Sequence, residues 1–182
     1  MKTLILNGSP RKNGDTAALV SQLAAQLKGE VRVIDCCSDN ISPCSDCRAC
    51  RTLPCCPVND GMQEIYTALS ECENVVIASP VHYAELSAGL LKAAGRFQVY
   101  SSALIFRHEA LPTAAKRGAI ILAQGGSGGA ERAFETAKLI FMSIGIKDVL
   151  PPVISPNTDR LAAADDPQAA EAVGRLAAAL SE

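Results

Sequence analysis

Apolar positions along the chain fall into short continuous runs separated by stretches of helical period, and the two patterns predict alternating strands and helices. Lys2 to Leu6 reads as a buried strand, and Thr16 to Lys28 as a helix with apolar Ala17, Leu19, Val20, Leu23, Ala24 and Leu27. Val31 to Ile34 is a short second strand, Met62 to Glu71 a helix, Asn74 to Ala78 a strand and Ser87 to Phe97 a helix. Gly118 to Ala123 then reads as a strand, Ala130 to Ile144 as a helix, Val149 to Ile154 as a last strand, and about Pro167 to Leu180 as an alanine-rich helix. Gln98 to Lys116, with His108 and Pro112, is less regular and reads as a flexible excursion or an oligomer contact. Five strands alternating with five helices predict an α/β fold, a parallel sheet covered on both faces, because parallel strands need crossover helices. The runs Val75-Val76-Ile77-Ala78 and Ala119-Ile120-Ile121-Leu122 agree with burial on both faces.

In such a sheet a ligand sits beyond the carboxyl ends of the strands, so the segments after Leu6, Ala78 and Ala123 are expected to meet. The first, Asn7 to Thr16, is a polar glycine loop between a strand and a helix start. The helix start offers N–H groups without helical acceptors and a positive dipole end, while Ser9, Arg11 and Thr16 add hydroxyl and guanidinium donors for phosphate oxygens. The loop lacks the Gly-Lys-Ser/Thr ending of a nucleotide triphosphatase loop and the G-x-G-x-x-G spacing of a dinucleotide site. A terminal monophosphate, as on FMN, suits it better. The second segment, Ser79-Pro80-Val81-His82-Tyr83, joins a proline-preset turn to an aromatic tip, so that backbone groups and the Tyr83 ring can face a flat heterocycle. The third, Gln124-Gly125-Gly126-Ser127-Gly128-Gly129, has four glycines that let the backbone approach a ligand closely.

At 182 residues the chain suits one domain, residues 1–182, with a cysteine-rich insertion at about 36–60. Seventeen basic against nineteen acidic residues, a formal charge of −2, supply no electrostatic case for nucleic acid or an anionic membrane. The amino terminus carries one Lys and a short apolar run before Asn7, and no run approaches about 18 apolar residues, so a soluble cytoplasmic protein is expected. His82 and His108 are the only histidines, which supports neither a histidine-rich metal site nor a Ser-His-Asp hydrolase.

Five of the eight cysteines lie between Cys44 and Cys56. Clustered thiols in a cytosolic setting suggest metal, cluster or redox chemistry before disulfide staples. Cys44, Cys47 and Cys50 form a C-x2-C-x2-C run that can face one centre, and Cys55 or Cys56 would complete a [4Fe-4S] site. An all-cysteine zinc site needs the same four ligands, and a redox-active disulfide the same thiols. Cys36 and Cys37 end the second strand but are adjacent, which makes them poor joint ligands; Cys72 is expected to pack under its helix.

The first loop, Ser79-Pro80-Val81 with Lys92 and Arg96 downstream, and the Gly125 to Gly129 loop together resemble the NADPH-dependent FMN reductase branch of the flavodoxin-like proteins. The resemblance covers nearly the whole chain and implies a three-layer sandwich with a five-stranded sheet in order 2-1-3-4-5, FMN at the strand ends and reduction by NADH or NADPH. By that match Ser9, Arg11, Asn13, Asp15 and Thr16 surround the phosphate, Pro80, Val81, His82 and Tyr83 the isoalloxazine, and Gln124, Gly125, Gly126, Ser127 and Gly128 its other edge. The family usually carries Asn where this chain has Asp15, and a carboxylate beside a phosphate is unfavourable unless it caps the helix, the role expected of it here. The family also tends to have Asp where this chain has Gly95. The stretch from Cys44 through Met62 resembles the related iron-sulfur flavoproteins, and its register to Asp60 and Met62 implies Cys44, Cys47, Cys50 and Cys56 as ligands.

The expected activity is therefore an FMN-dependent NAD(P)H oxidoreductase that passes electrons to a small acceptor or an adjacent cluster, with no side chain needed as an acid–base catalyst. The alternatives are an iron-sulfur electron carrier serving a ferredoxin-like partner and a zinc or thiol redox-sensing protein. A homodimer or homotetramer that walls the flavin site is implied by the same resemblance.

Overall fold

The computed structural model describes every residue except Pro112 and Lys116, so the sequence reading of those two positions lies outside it. Strands β1 (Lys2–Asn7), β2 (Glu30–Asp35), β3 (Asn74–Pro80), β4 (Arg117–Ala123), β5 (Asp148–Val149) and β6 (Val153–Ser155) form one sheet. Its order is β2-β1-β3-β4-β5, with β6 also on β4 and every pairing parallel. The helices are α1 (Asp15–Gln26), α2 (Met62–Glu71), α3 (Ala88–Ala94), α4 (Gln98–Ser102), α5 (Ala130–Ser143) and α6 (Pro167–Leu180).

Successive strand residues face opposite layers, as the pleat demands. Leu4, Leu6, Val75, Ile77, Ile120 and Leu122 pack with Met62, Ile65 and Leu69 of α2, Leu90 of α3 and Phe141 of α5. Ile5, Val76, Ala78, Ala119 and Ile121 pack with Leu19 and Leu23 of α1 and Val173, Leu176 and Leu180 of α6. Burying each such side chain contributes about 1.5–3 kcal/mol, which is why the central strands carry no polar alternation. This is the expected three-layer, flavodoxin-like sandwich. No helix among the described residues is long and apolar enough to cross a membrane.

Two expectations change. The last strand is not continuous: Gly118 pairs with Val149 and Ile121 with Val153, so three steps along β4 face four along its partner. Pro151 and Pro152 occupy the gap, and prolines have no N–H to give the ladder. The stretch from Gln98 is also more regular than expected. A 3-10 turn over Gly95–Phe97 joins α3 to α4, and a π-helical turn over Ala103–Arg107 follows, ended by His108 in the left-handed region (φ 54°). The run stays helical because it has a face to bury: Phe97, Val99, Tyr100 and Ala103 are all inside, and Tyr100 meets the Tyr66 ring edge-on at 5.9 Å.

Candidate functional site

Parallel register brings the ends of β1, β3 and β4 to one edge of the sheet, and their loops are bonded to each other there. Gly8 N–H donates to the Ala78 carbonyl (2.7 Å), and Val81 N–H to the Ala123 carbonyl (2.8 Å). Ser79 Oγ accepts from the Ser87 amide at 2.9 Å, fixing the start of α3. A Cβ on Gly8 would stand 2.7 Å from Ser87 Oγ and 2.9 Å from Leu90 Cβ, so the first loop lies directly on α3. Gly8→Ala is expected to destabilise the protein by about 1–3 kcal/mol, seen as a lower melting temperature, because the loop must lift from that helix.

Within the first loop Ser9 is buried, its Oγ accepting from the Arg11 amide (3.3 Å) and donating to the Arg11 carbonyl (3.0 Å). Arg11 and Asn13 are exposed, Thr16 is buried, and Gly14 holds the position before α1 with no side-chain cap. The amides of Asp15, Thr16 and Ala17 open the helix and have no acceptor in it. Asp15 does not cap its own helix, which corrects the sequence expectation. It is already inside the first turn, where its Oδ1 accepts from the Ala163 amide (2.9 Å) at the start of a 3-10 turn over Ala163–Asp165, and its Oδ2 lies 3.9 Å from Arg11 Nη2. The carboxylate thus ties α1 to the carboxyl-terminal layer and is partly neutralised by Arg11.

Pro80 and Val81 are half-buried, whereas His82 and Tyr83 project from the second loop. His82 and Glu85 exchange backbone hydrogen bonds (2.9 and 3.0 Å) around Tyr83 and Ala84, both in the left-handed region (φ 52° and 61°). Two consecutive non-glycine residues there cost about 1–2 kcal/mol each, strain of the kind that functional loops hold. The Tyr83 side chain is fully in solvent, the most exposed large apolar group among the described residues. The third loop closes against this one: a Cβ on Gly129 (φ 97°) would stand 2.8 Å from Ala84 Cβ. Gly126, Ser127 and Gly128 are exposed, and added Cβ atoms at both glycines would meet nothing within 4 Å. Gln124 is buried and its Oε1 has no hydrogen-bond partner among the described residues. A buried acceptor left unmatched costs about 1–3 kcal/mol, so an orphan at this edge points to a missing donor.

A fourth segment belongs to this edge and was missed in the sequence. Asn157 N–H donates to the Gly126 carbonyl (2.8 Å) and Thr158 N–H to that of Gln124 (3.0 Å), while the Asp159 carboxylate packs where a Gly125 side chain would be. The turn-forming run Pro156-Asn157-Thr158-Asp159 directly after a strand was the available signal.

Cys44, Cys47, Cys50 and Cys56 line one cavity of about 80 Å³, together with Asp46, Arg48, Arg51, Arg96 and the helical wall of Gln98, Val99, Ser102 and Phe106. Cys55 instead lines a separate hollow of about 170 Å³ with Tyr66, Ser70, Tyr100 and Arg107. Cys50 Sγ lies 3.2 Å from Ser102 Oγ, and its carbonyl accepts from Arg107. Among the described residues, no three His, Cys, Asp or Glu side chains are gathered closely enough for a single metal ion. Cys36 and Cys37 lie elsewhere: Cys36 is in the core, where burial pushes its thiol up to about 12, and Cys37 Sγ bonds the Gly8 carbonyl (3.3 Å). Cys72 packs beneath the end of α2 as expected, its thiol pushed up to about 11 by burial.

The ends of the cysteine loop are clamped by Arg96, which the sequence offered only as a downstream basic residue. Its Nη1 bonds Asp60 Oδ2 (2.9 Å) and the Ser42 carbonyl (3.0 Å), and its Nη2 the Val58 carbonyl (3.3 Å). Burial alone would raise the Asp60 pKa, but the Arg96 guanidinium and the amides of Ser42 and Met62 outweigh it and lower the carboxyl to about 2.

Known proteins share the fold of this chain and, over about half of it, its sequence. An iron-sulfur flavoprotein of Methanocaldococcus jannaschii is 31% identical over 93 residues, 50% of this chain and 48% of that protein. One from Methanosarcina thermophila is 28% identical over 93 residues, 50% of this chain and 49% of its own length. The matches thus span about half the length of these relatives. An NAD(P)H:quinone oxidoreductase from Methanothermobacter marburgensis superposes with a TM-score of 0.76 at 14% identity, over 100% of this chain and 96% of that one. An FMN-dependent NADH-azoreductase from Bacillus anthracis, solved with FMN, gives 0.65 at 17% identity, over 100% and 99%. At such identities the likeness is one of fold. Residues 1–159 match the model of the NADPH-dependent FMN reductase family, and the chain belongs to that family.

Proposed function

We propose that the strand-end loops hold FMN and that the chain is an NAD(P)H-dependent oxidoreductase, passing electrons to a small acceptor or to a [4Fe-4S] cluster on Cys44, Cys47, Cys50 and Cys56. The observation that carries the flavin reading is the unpartnered Gln124 Oε1, buried at the edge where the three loops are bonded together. A flavin ring N–H is a donor of the kind that Oε1 lacks. The unspent amides of α1, with Ser9 and Thr16, suit the phosphate, and the positive dipole end favours its charge. Arg11 and Asn13, exposed on the same loop, are free to close over it, and Asp15 supports the loop from behind through Ala163. Pro80, Val81, His82 and Tyr83 flank the ring on one side, Gly126 and Gly128 leave room on the other, and Gly125 and Ser127 complete that loop. Bound FMN supplies hydride acceptance at N5 and onward electron transfer.

Four thiols spread around a cavity suit a multi-atom cluster, and three arginines against one aspartate on the wall favour anionic cargo. The electron-carrier alternative, with a ferredoxin-like partner, draws support from Leu104, Ile105 and Phe106, exposed apolar side chains beside that cavity. We assign Leu139 and Met142, exposed on α5, to contacts between copies in a homodimer or homotetramer.

Anaerobic purification followed by a visible spectrum tests the cofactors. Flavin bands at about 370 and 450 nm and a dithionite-bleached shoulder near about 400 nm are expected, and a colourless zinc protein would overturn the reading. Mixing with NADPH then bleaches the flavin if the chain is the enzyme and leaves it oxidised if it is only a carrier. Gln124→Leu is expected to weaken FMN binding about tenfold, the loss of one hydrogen bond, without lowering the melting temperature of the flavin-free protein, since the orphan acceptor goes too.

A further inference from the structure

Arg96 is the one guanidinium fully enclosed at the cysteine cavity, its side chain 1% exposed. Two of its nitrogens are spent on Asp60, Ser42 and Val58, which bracket the cysteine run on both sides. The third, Nε, is buried and has no partner among the described residues. Tyr66 Oη donates to the Arg96 carbonyl (2.9 Å), so the backbone is fixed as well. The other cations of the wall are engaged at the surface: Arg48 pairs with Asp46 (3.3 Å) and Arg51 covers the Phe106 ring at 4.4 Å.

Resting on the assignment of Cys44, Cys47, Cys50 and Cys56 to a cluster, we propose that Arg96 is the residue that sets the cluster's reduction potential. It holds both ends of the cysteine loop, places a fixed buried charge on the cavity wall and keeps one buried N–H unspent among the described residues. One-electron reduction adds one negative charge to the cluster and moves no proton. A buried cation beside it stabilises that state, and hydrogen bonds to ligand sulfur act in the same direction. Arg96 and Cys56 line the same cavity, so this charge and that thiol share one wall. Gly95, next in the chain, keeps the opposite charge away: a Cβ there would lie 3.9 Å from Cys44 Cβ, so an acidic side chain would stand beside Cys44.

The test is an anaerobic redox titration of iron-loaded protein, followed by the resonance signal of the reduced cluster, with iron content measured on each sample. At a fixed potential Arg96→Met is expected to lower the reduced-to-oxidised ratio about tenfold, about 59 mV for one electron, while Arg96→Lys stays near the parent. Gly95→Asp, which leaves the clamp untouched, shifts the same way, and Asp60→Asn, which removes the countercharge, shifts the opposite way. A purely structural Arg96 would change iron content in its variants without these opposed shifts. Iron-loaded Arg96→Met and Gly95→Asp titrating with the parent would overturn the inference and leave the cluster assignment standing; should Arg96→Met not fold, Gly95→Asp and Asp60→Asn decide between them. A parent protein free of iron and sulfide fails at the cluster assignment itself and takes the inference with it.

Discussion

Cys56→Ser is expected to strip the anaerobically purified protein of its iron, from about four atoms per chain to less than about one, while Cys55→Ser leaves the content unchanged. The two residues are adjacent and indistinguishable by spacing from Cys50, yet their side chains enter different spaces. Cys56 shares the arginine-lined cavity with Cys44, Cys47 and Cys50, whereas Cys55 faces the hollow under Tyr66 and Tyr100. The Cys56 carbonyl accepts from Gln63 Nε2 (3.4 Å), a bond that helps fix which side chain turns inward. Iron and sulfide analysis of the two variants checks the assignment. Equal loss in both would mean that the loop rearranges to use either thiol, and stoichiometric zinc in the parent would replace the cluster by a zinc site.

Asp60→Asn is expected to destabilise the protein by about 3 kcal/mol, because it leaves the Arg96 charge buried without its partner. For a chain of this length that lowers the melting temperature by roughly 6–12 °C, as followed by calorimetry. The pair sits at 1% and 10% side-chain exposure, so solvent does little to screen it. The pH dependence has a definite sign. The Asp60 pKa is depressed to about 2 in the folded chain, so its contribution is present in full above the ordinary carboxylate range and is lost as pH falls through about 2. Between about pH 5 and pH 2 the parent therefore loses about 2–3 kcal/mol that Asp60→Asn never had, and the two stability curves converge in acid. Curves that stay parallel down to pH 2 would mean that the pair contributes no charge-dependent stability.

Most of the architecture was legible because it rests on local pattern. The continuous apolar runs at β1, β3 and β4 and the helical period of α1, α2, α5 and α6 place the layers, and the parallel order follows from the crossovers. The misreadings sit where a local rule met a distant partner. Asp15 has the residue type of a helix cap, but the Ala163 amide takes its carboxylate from 148 positions away. Gln98 to Arg107 lacks a clear period because its helix passes from an α to a π turn, which rotates the buried face as it goes. Pro151 and Pro152 announced a break in the last strand that its apolar content concealed.

By itself the sequence determined which residue types meet a ligand: glycine, hydroxyl and amide groups follow three parallel strands, and the cysteine run offers four thiols. That much is covalent order and periodicity, which act over a few residues. Only the tertiary structure decided which atoms remain unspent. Among the described residues Gln124 Oε1 and Arg96 Nε are buried without partners, because packing removed water from them while other chain segments used up the neighbouring donors and acceptors. Cys55 and Cys56 part company for the same reason: the wall of the 3-10 turn at Arg96, α4 and the π turn, far along the chain, makes the space that Cys56 lines and Cys55 does not.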